Sequence, residues 1–255
     1  MSPAIKRAVL PLAGFALFLG VWWLVAVSGL LGAGQLPRPD QVFVTVIDRF
    51  AGDGLWRDVQ LSVLRVLIGV GIGCAAAVPV GFVLAWYPTL RSMFEPLVNF
   101  FRALPPIALI PLVILYMGIG ENARISILIY AAFFSAAVVI YEGVAAIDGI
   151  YIRAARAMGA SQLELFWRVI LPLTIPQVLV GVRVALGVSW ATLVAAELIA
   201  AQRGLGATIQ TAANFFQMEM IYGGIILIGV AALLMDRLLS LLMKRVVRWQ
   251  ERVEH

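Results

Sequence analysis

The polar side chains that could act on a solute lie inside two long apolar runs of the sequence. Charged and hydrogen-bonding groups are costly in the hydrocarbon region of a bilayer, so those found there usually serve a pathway or an ion pair. We therefore expect them to line a pathway through the membrane. Arg183 has a second interpretation, in which it pairs with a carboxylate such as Glu142 and only fixes helix packing. The later run contains Arg183, Ser189, Trp190, Thr192 and Glu197, and the earlier one contains Tyr130 and Ser135.

Residue patterns that carry out covalent chemistry are missing from the sequence. Lys6 and Lys244 are the only lysines, and neither belongs to the GxxxxGK[ST] pattern that cradles phosphate groups, so any ATP must be bound by another polypeptide. Cys74 and His255 are the only residues of their types, which leaves no intrachain disulfide and no cysteine-based metal site. No HExxH, nucleophile elbow or paired acid and base carboxylates occur. A membrane-embedded enzyme is disfavoured, and we expect no metal or cofactor in this chain.

The composition is typical of a protein that lies mostly in lipid. Hydrophobic residues make up 62% of the chain, charged residues only 13%, and the mean hydropathy is +0.98. The net charge of +5 could suggest nucleic acid. However, the basic residues fall mainly at the ends of apolar runs, which indicates a positive membrane rim and no nucleic-acid partner.

About 20 apolar residues are needed to cross the hydrocarbon core, and this rule predicts six spans. The third is expected to break into a shorter helix and an irregular segment, because Pro105, Pro106 and Pro111 remove backbone donors. The first has an alternative as a signal peptide cleaved near Ala26 to Ser28. The predicted spans cover residues 9–31, 61–87, 96–118, 123–141, 173–200 and 220–243.

Lysines and arginines near the spans predict that both termini are cytoplasmic, because such residues accumulate on that side. The basic residues assigned to the cytoplasmic side are Lys6, Arg7, Arg91, Arg153, Arg156, Arg168, Lys244, Arg245, Arg248 and Arg252. The opposite side has Arg38, Arg49, Arg57 and Arg203, mixed with Asp40, Asp48, Asp53, Asp58, Glu121 and Glu219.

The spans divide into two predicted regions. Residues 1–60 would hold the first span and an external amphipathic helix that opens at Pro39 and lies on the membrane surface or on the bundle. The apolar face of that helix would be formed by Val42, Phe43, Val46, Ile47 and Phe50. Residues 61–255 would form a five-helix core. Within the core, Gly69, Gly73, Ala77 and Gly81 recur every four residues, which predicts close contact with another span of the same subunit.

A polar island at residues 149–172 interrupts the apolar runs. The pattern predicts a helix over 149–158, a break at Gly159, and an amphipathic helix from Ser161 to Arg168 that ends at Pro172. Ser161 and Glu164 have the spacing of a capping box, in which each side chain bonds the other residue's backbone N–H. Ala154, Ala155, Ala157 and Ala160 would present small surfaces to a partner. An ordinary cytoplasmic loop is the other interpretation.

The spacing within this island resembles the EAA loop of binding-protein-dependent ABC importer permeases of the MetI-like family. That loop has the pattern E-A-A, three residues, G, nine residues, I-x-L-P. Here Arg153-Ala154-Ala155 is followed after three residues by Gly159 and after nine more by Val169-Ile170-Leu171-Pro172. Arg153 replaces the glutamate and Val169 the isoleucine. In that family the loop is a cytoplasmic coupling helix that enters a groove on the ATPase subunit, so the resemblance implies this role for Arg153, Ala154, Ala155, Gly159, Ala160, Ser161, Leu171 and Pro172.

Further stretches resemble the taurine and alkanesulfonate permeases and their nitrate, cyanate and bicarbonate relatives. They are RALPP at 102–106, MGIGE at 117–121, WATLVAAELI at 190–199 and RGLG at 203–206. Permease branches that carry aromatic sulfonates, thiamine precursors or riboflavin share many of these residue patterns. For an anion, an arginine and hydroxyl groups suit the pathway, whereas Glu197 would repel the ligand and is expected to hold the outer loop. The 203–206 stretch could bring positive charge to the outer mouth or be a bare turn.

The resemblance implies an all-α, six-span permease subunit of the bacterial inner membrane, paired as a homodimer around the pathway. Its partners would be two ABC ATPase subunits, which bind ATP and Mg, a soluble substrate-binding protein, and membrane lipid. Closure and opening of the ATPases would switch access to the cavity by rigid-body motion. The most favoured cargo is taurine or an alkanesulfonate. The alternative of another class is an ATP-independent secondary transporter, which would more often show an inverted repeat and paired broken helices.

Overall fold

The computed structural model describes residues 3–29, 35–52 and 54–247, and the regular secondary structure in that part is all helical. Arg248, Arg252 and His255 lie outside the described residues, as do the side chains of Lys6 and Arg7. The elements are α1 (Pro3–Ser28), α2 (Pro39–Gly52), α3 (Leu55–Trp86), α4 (Pro88–Ala103), α5 (Pro106–Met117), α6 (Glu121–Ala145), α7 (Gly149–Ala157), α8 (Gln162–Leu165), a π-helical turn (Phe166–Ile170), α9 (Leu171–Ala200), α10 (Leu205–Asn214) and α11 (Met218–Val246).

The predicted membrane architecture is confirmed by the lengths of these helices. Four are long and apolar enough to cross a bilayer: α3, α6, the stretch Gln162–Ile199, and α11. The bent pair formed by α4 and α5 supplies a fifth candidate span. Helix α1 has 26 residues, and its described apolar part is Leu12–Ser28. The described residues are thus consistent with six spans.

Helices α3, α6 and α9 form the centre of the bundle. The small-residue face of α3 packs on α6 as predicted, since an added Cβ at Gly69, Gly73 or Gly81 would lie within 3 Å of α6 atoms. Residue numbers rise together along this contact, from Leu128 opposite Gly69 to Ile140 opposite Gly81, so α3 and α6 run parallel. Helix α9 runs the other way, because Gln177 lies opposite Gly143 whereas Gly181 lies opposite Ala136 and Ile140.

These directions define two ends of the bundle. The upper end holds the starts of α3 and α6 and the end of α9, with α10 packed beside them. The lower end holds the ends of α3 and α6 and the 149–172 segment.

The third predicted span differs from expectation in its second half. A bend of 92° separates α4 from α5. Leu104 and Pro105 at the bend are extended because each precedes a proline, whose ring disfavours the helical conformation in the residue before it. The expected irregular segment is instead helix α5, which Pro106 begins and in which Pro111 is accommodated. Helix α4 likewise starts at Pro88, eight residues earlier than predicted, and includes Pro96.

The predicted amphipathic helix at Pro39 is α2, and it packs on α11. Val42 is buried, and the side chain of Val46 lies directly over Gly223 of α11. Phe43, Ile47 and Phe50 of the predicted apolar face remain exposed. The helix therefore lies on the bundle through part of its apolar face, and the rest of that face is available to lipid.

Gly73 gives a test of the close α3–α6 contact, because Gly71 on the same helix is a matched control. An added Cβ at Gly73 would lie 2.7 Å from the Ala132 Cβ and 2.8 Å from the Ile129 carbonyl oxygen, whereas one at Gly71 meets nothing within 4 Å. Gly73→Ala should destabilise the protein by about 1–3 kcal/mol through overpacking. Gly71→Ala should leave stability unchanged or raise it slightly. Thermal unfolding in detergent checks this, and equal midpoints for the two variants would contradict the packing.

Candidate functional sites

A buried ion pair joins α3 to α9 at the upper end. Arg65 is 3% exposed and Glu197 is 1% exposed, and Arg65 Nη1 lies 2.6 Å from Glu197 Oε1. Ser62, one helical turn before Arg65, donates its hydroxyl hydrogen to the same carboxylate at 2.8 Å. Buried charges persist only when they are paired and hydrogen-bonded. We therefore take this pair as the structural centre of the upper end.

The 203–206 segment is docked on this ion pair. Gly204 has φ +129°, and a Cβ there would lie 2.5 Å from Glu197 Oε1 and 2.6 Å from Arg65 Nη1, so a larger residue would displace the segment. The expected contact between Glu197 and this loop is present, and the segment is more than a bare turn. The bonds run from Arg65 Nη1 to the Arg203 carbonyl (2.8 Å), from the Leu205 N–H to Ser62 Oγ (2.9 Å) and from the Gly206 N–H to Glu197 Oε2 (2.8 Å).

Arg65 also binds a second carboxylate, Glu121, at the start of α6. Its Nε and Nη2 atoms lie 2.7 and 2.6 Å from the two Glu121 oxygens, in the bidentate arrangement that guanidinium groups favour. Arg124, one turn further along α6, donates to the same Glu121 Oε1 at 2.6 Å. Arg65 thus links α3 to both α6 and α9.

A polar cavity of about 370 Å³ opens beside the docked segment. Its polar lining includes Arg49, Gln202, Arg203, Thr208 and Gln217. Of the two interpretations of the 203–206 stretch, a positive charge or a bare turn, the position of Arg203 in the cavity lining favours the first.

Local signals shape the 149–172 segment at the lower end. The Asp148 carboxylate caps α7 by accepting from the Ile150 N–H at 2.9 Å. Gly159 then has φ +83°, a conformation that other residues adopt at a cost. Ser161 and Glu164 form the predicted capping box at the start of α8.

The second helix of this segment does not end at Pro172 as predicted. It continues through the π-helical turn Phe166–Ile170 directly into α9. A proline within a helix has no N–H to donate, and its ring crowds the carbonyl four residues earlier, here that of Arg168. A π-helical turn widens the backbone at such a point, which lets the helix pass Pro172 without a break.

The alanines of the segment do not all face outward. Ala155 is buried and packs in the same apolar core as Leu165 and Ile170, which corrects the expectation that it offers a surface to a partner. Ala154 and Ala157 are exposed, and Ala160 is half-buried. Met158, beside Gly159, is the most exposed large apolar residue among those described, at 83%.

Comparison with known proteins identifies the family. Residues 77–252 match the family model of the binding-protein-dependent transport system inner membrane component. The chain belongs to this family. It is 44% identical over 252 residues to a probable ABC transporter permease protein of Brucella abortus (strain 2308), covering 99% of this chain and all of that one. It is 35% identical over 257 residues to the taurine transport system permease protein TauC of Escherichia coli (strain K12), covering 99% and 94%.

The fold of this permease is shared with a solved transporter. An inward-facing structure of the MetNI methionine ABC transporter matches with a TM-score of 0.62 and 22% identity, covering 76% of this chain and 94% of that one. The MetI-like fold and the branch predicted from the sequence, which groups taurine, alkanesulfonate, nitrate and bicarbonate permeases, are therefore confirmed, and the permease is a multi-pass inner-membrane protein.

The structure places the predicted pathway residues of the permease in different surroundings. Arg183 forms a two-bond ion pair with Asp236 of α11, at 2.6 and 2.8 Å, so the partner predicted as Glu142 is wrong while the pairing itself is present. Tyr130 donates its hydroxyl hydrogen to the Phe101 carbonyl at the end of α4 and so ties α6 to the bend. Glu197 belongs to the upper ion pair.

The remaining predicted pathway residues are buried or half-buried in the permease. Thr192 donates to the Val188 carbonyl of its own helix at 2.8 Å, and Ser135 is half-buried. Ser189 Oγ and Trp190 Nε1 are buried and have no hydrogen-bond partner among the described residues. Polar atoms in that position are the best remaining candidates for contact with a solute or a water molecule, so their pathway role stays a prediction.

Sequence reasoning missed Arg65 and Arg124 as site residues. Both lie inside predicted spans, at 61–87 and 123–141, and the cost of charge in lipid marks such residues as functional candidates by default. The arginine within the second predicted span and the one at the start of the fourth are the signals that could have identified them.

Glu197→Gln tests the docking of the 203–206 segment. The change removes the negative charge that balances the buried guanidinium group of Arg65. We therefore expect the free energy of unfolding to fall by about 3–5 kcal/mol. The released segment should also become susceptible to trypsin after Arg203. Glu219→Gln, which removes the same charge in the first turn of α11, is the control and should keep both properties. Unchanged stability and resistance to trypsin in Glu197→Gln would refute the docking.

A charge exchange tests the role of Arg183. If the ion pair with Asp236 mainly fixes α9 against α11, Arg183→Gln and Asp236→Asn should each lower the unfolding temperature. The double variant Arg183→Asp with Asp236→Arg should recover most of the loss. Uptake measured on the same variants separates a pathway role from a packing role. If Arg183 lines the pathway, transport should stay impaired in the exchanged double variant even though its stability has recovered.

Proposed function

We propose that this permease is the membrane subunit of an ATP-driven importer for a small anion, with taurine or an alkanesulfonate as the cargo. The observation that carries the proposal is the 35% identity to the taurine permease over 99% of the chain. The two buried arginines at the upper end, Arg65 and Arg124, support a negatively charged cargo. Nitrate, bicarbonate, an aromatic sulfonate and a thiamine precursor are the alternative cargoes within the same architecture.

In the assembly we propose, two copies of the permease enclose the pathway and a soluble binding protein delivers the anion to the upper end. Both termini and the lower end face the cytoplasm, where two ABC ATPase subunits bind ATP and Mg. The permease itself holds no cofactor and performs no covalent chemistry. This division of labour follows from the missing phosphate-binding loop in this sequence.

The 149–172 segment is proposed as the contact with the ATPase. Its α7 and α8 are joined around Gly159 at the lower end, and Met158 is exposed at their junction. Ala155, packed inside, supports the segment from beneath, so the contact would be made by its neighbours. The residues in this role are Arg153, Ala154, Gly159, Ala160 and Ser161 on the loop, with Leu171 and Pro172 where the segment joins α9.

The ATPase activity of the reconstituted complex tests the function. The permease, its ATPase and its binding protein are combined in proteoliposomes with taurine, ethanesulfonate, nitrate or bicarbonate. We expect stimulation by taurine or ethanesulfonate only when the binding protein is present. Stimulation by nitrate or bicarbonate alone would identify that anion as the cargo. Permease-dependent uptake without any ATPase would indicate a secondary transporter.

Met158→Asp tests the proposed ATPase contact. A charge at this exposed apolar residue should remove ATPase stimulation while membrane insertion and unfolding temperature stay unchanged, because the side chain touches little of the permease itself. Met93→Asp is the matched control, since Met93 is also well exposed (66%) but lies on α4 outside the segment. Normal coupling in Met158→Asp, or equal loss in both variants, would contradict the assignment.

A further inference from the structure

The carboxylate of Glu121 is held by two arginines that are much more deeply buried than it is. The side chains of Arg65 and Arg124 are 4% and 8% exposed, whereas that of Glu121 is 53% exposed. The arginines thus form the floor of a site, and the glutamate covers them from the solvent side.

The floor would remain in place if Glu121 moved away. Arg65 Nη1 stays bound to Glu197 and to the Arg203 carbonyl, at 2.6 and 2.8 Å. Its Nε and Nη2 atoms now bind the two Glu121 oxygens. They would then face the space that the carboxylate had occupied, together with Arg124 Nη1. This edge of a guanidinium group matches two oxygens of a carboxylate or sulfonate.

The charges of the cluster also favour an incoming anion. Two arginines and two glutamates balance while Glu121 is bound. Displacement of Glu121 removes the negative partner of two of these ion pairs, Arg65–Glu121 and Arg124–Glu121, and leaves the Arg65–Glu197 pair in place. A monoanion would restore the balance, and a cation or neutral solute would not.

Glu121 stands on a segment that has room to move. Gly118 has φ +75°, and apart from the residues adjacent in the chain, no atom lies within 4 Å of a Cβ added at Gly118 or Gly120. Ile119 between them is 74% exposed. The backbone just before Glu121 is therefore not enclosed by other elements.

We propose that Arg65 and Arg124 form an anion-binding site at the upper end of the permease, and that Glu121 occupies it in place of the cargo. The ligand class is a small monoanion with at least two acceptor oxygens, such as an alkanesulfonate. Arrival of the anion displaces the Glu121 carboxylate, which returns when the anion leaves. The site rests on the proposed function, since it names where an imported anion first contacts the membrane subunit.

Ethanesulfonate binding to the purified full-length permease in nanodiscs tests this site. The thermal unfolding midpoint is followed by tryptophan fluorescence against sodium ethanesulfonate, with sodium chloride at equal ionic strength as the reference. The parent should be stabilised specifically by ethanesulfonate. Glu121→Gln should bind about tenfold more tightly, because a competing charged group within the same chain is removed. Arg124→Gln should lose the response.

Glu219→Gln is the matched control, since it removes a first-turn glutamate from another helix at the same end. It should respond as the parent does. The proposal is overturned if ethanesulfonate acts no differently from chloride on the parent and on Glu121→Gln, or if Glu219→Gln shows the same gain as Glu121→Gln. If Arg124→Gln fails to fold, the comparison of Glu121→Gln with Glu219→Gln is sufficient to test the proposal.

The assay contains neither ATPase nor binding protein. Specific ethanesulfonate binding together with a failed ATPase reconstitution would therefore contradict the proposed function but support the anion site. Stimulated ATPase activity without ethanesulfonate binding would contradict only the anion site.

Discussion

The ion pair between Arg65 and Glu197 is the interaction on which the upper half of this permease depends. Each group is almost wholly enclosed, and a charge in such surroundings is tolerated only with full compensation. The carboxylate is saturated by Arg65, Ser62 and the Gly206 N–H. Because these groups come from α3, α9 and the start of α10, the pair fixes three elements relative to each other. Glu121 adds α6 through the other edge of Arg65.

The lower end is built on a different principle. Its 149–172 segment is shaped by local devices: the Asp148 cap, the left-handed Gly159, the capping box of Ser161, and the π-helical turn before Pro172. None of these requires a distant partner, so the segment keeps its form while much of its surface stays exposed. Such a surface suits a partner protein, whereas at the upper end the charged side chains of Arg65, Arg124 and Glu197 are buried. In the proposed mechanism, the ATPase subunits act on the lower end and the anion is delivered to the upper end.

Features that depend on neighbours in the sequence could be predicted, and features that depend on distant contacts could not. The Ser161 capping box, the α2 start at Pro39 and the four-residue recurrence from Gly69 to Gly81 each have a local cause, and each is present. The partner of Arg183 was predicted wrongly because Asp236 lies 53 residues away, and only the packing of α9 on α11 brings the two together. Ala155 faces inward for a similar reason, since the orientation of a short helix is set by what it packs against. The EAA spacing singled out the 149–172 segment but could not show that its second helix continues into α9.

The most direct test of this mechanism is a structure of the reconstituted complex with ATP bound and ethanesulfonate delivered by the binding protein. Arg65 and Glu197 should remain in hydrogen-bond contact, and α3, α6 and α9 should move as one body at the upper end. Glu121 should have left Arg65, with an anion in its place. Separation of Arg65 from Glu197 together with detachment of the 203–206 segment would refute the mechanism.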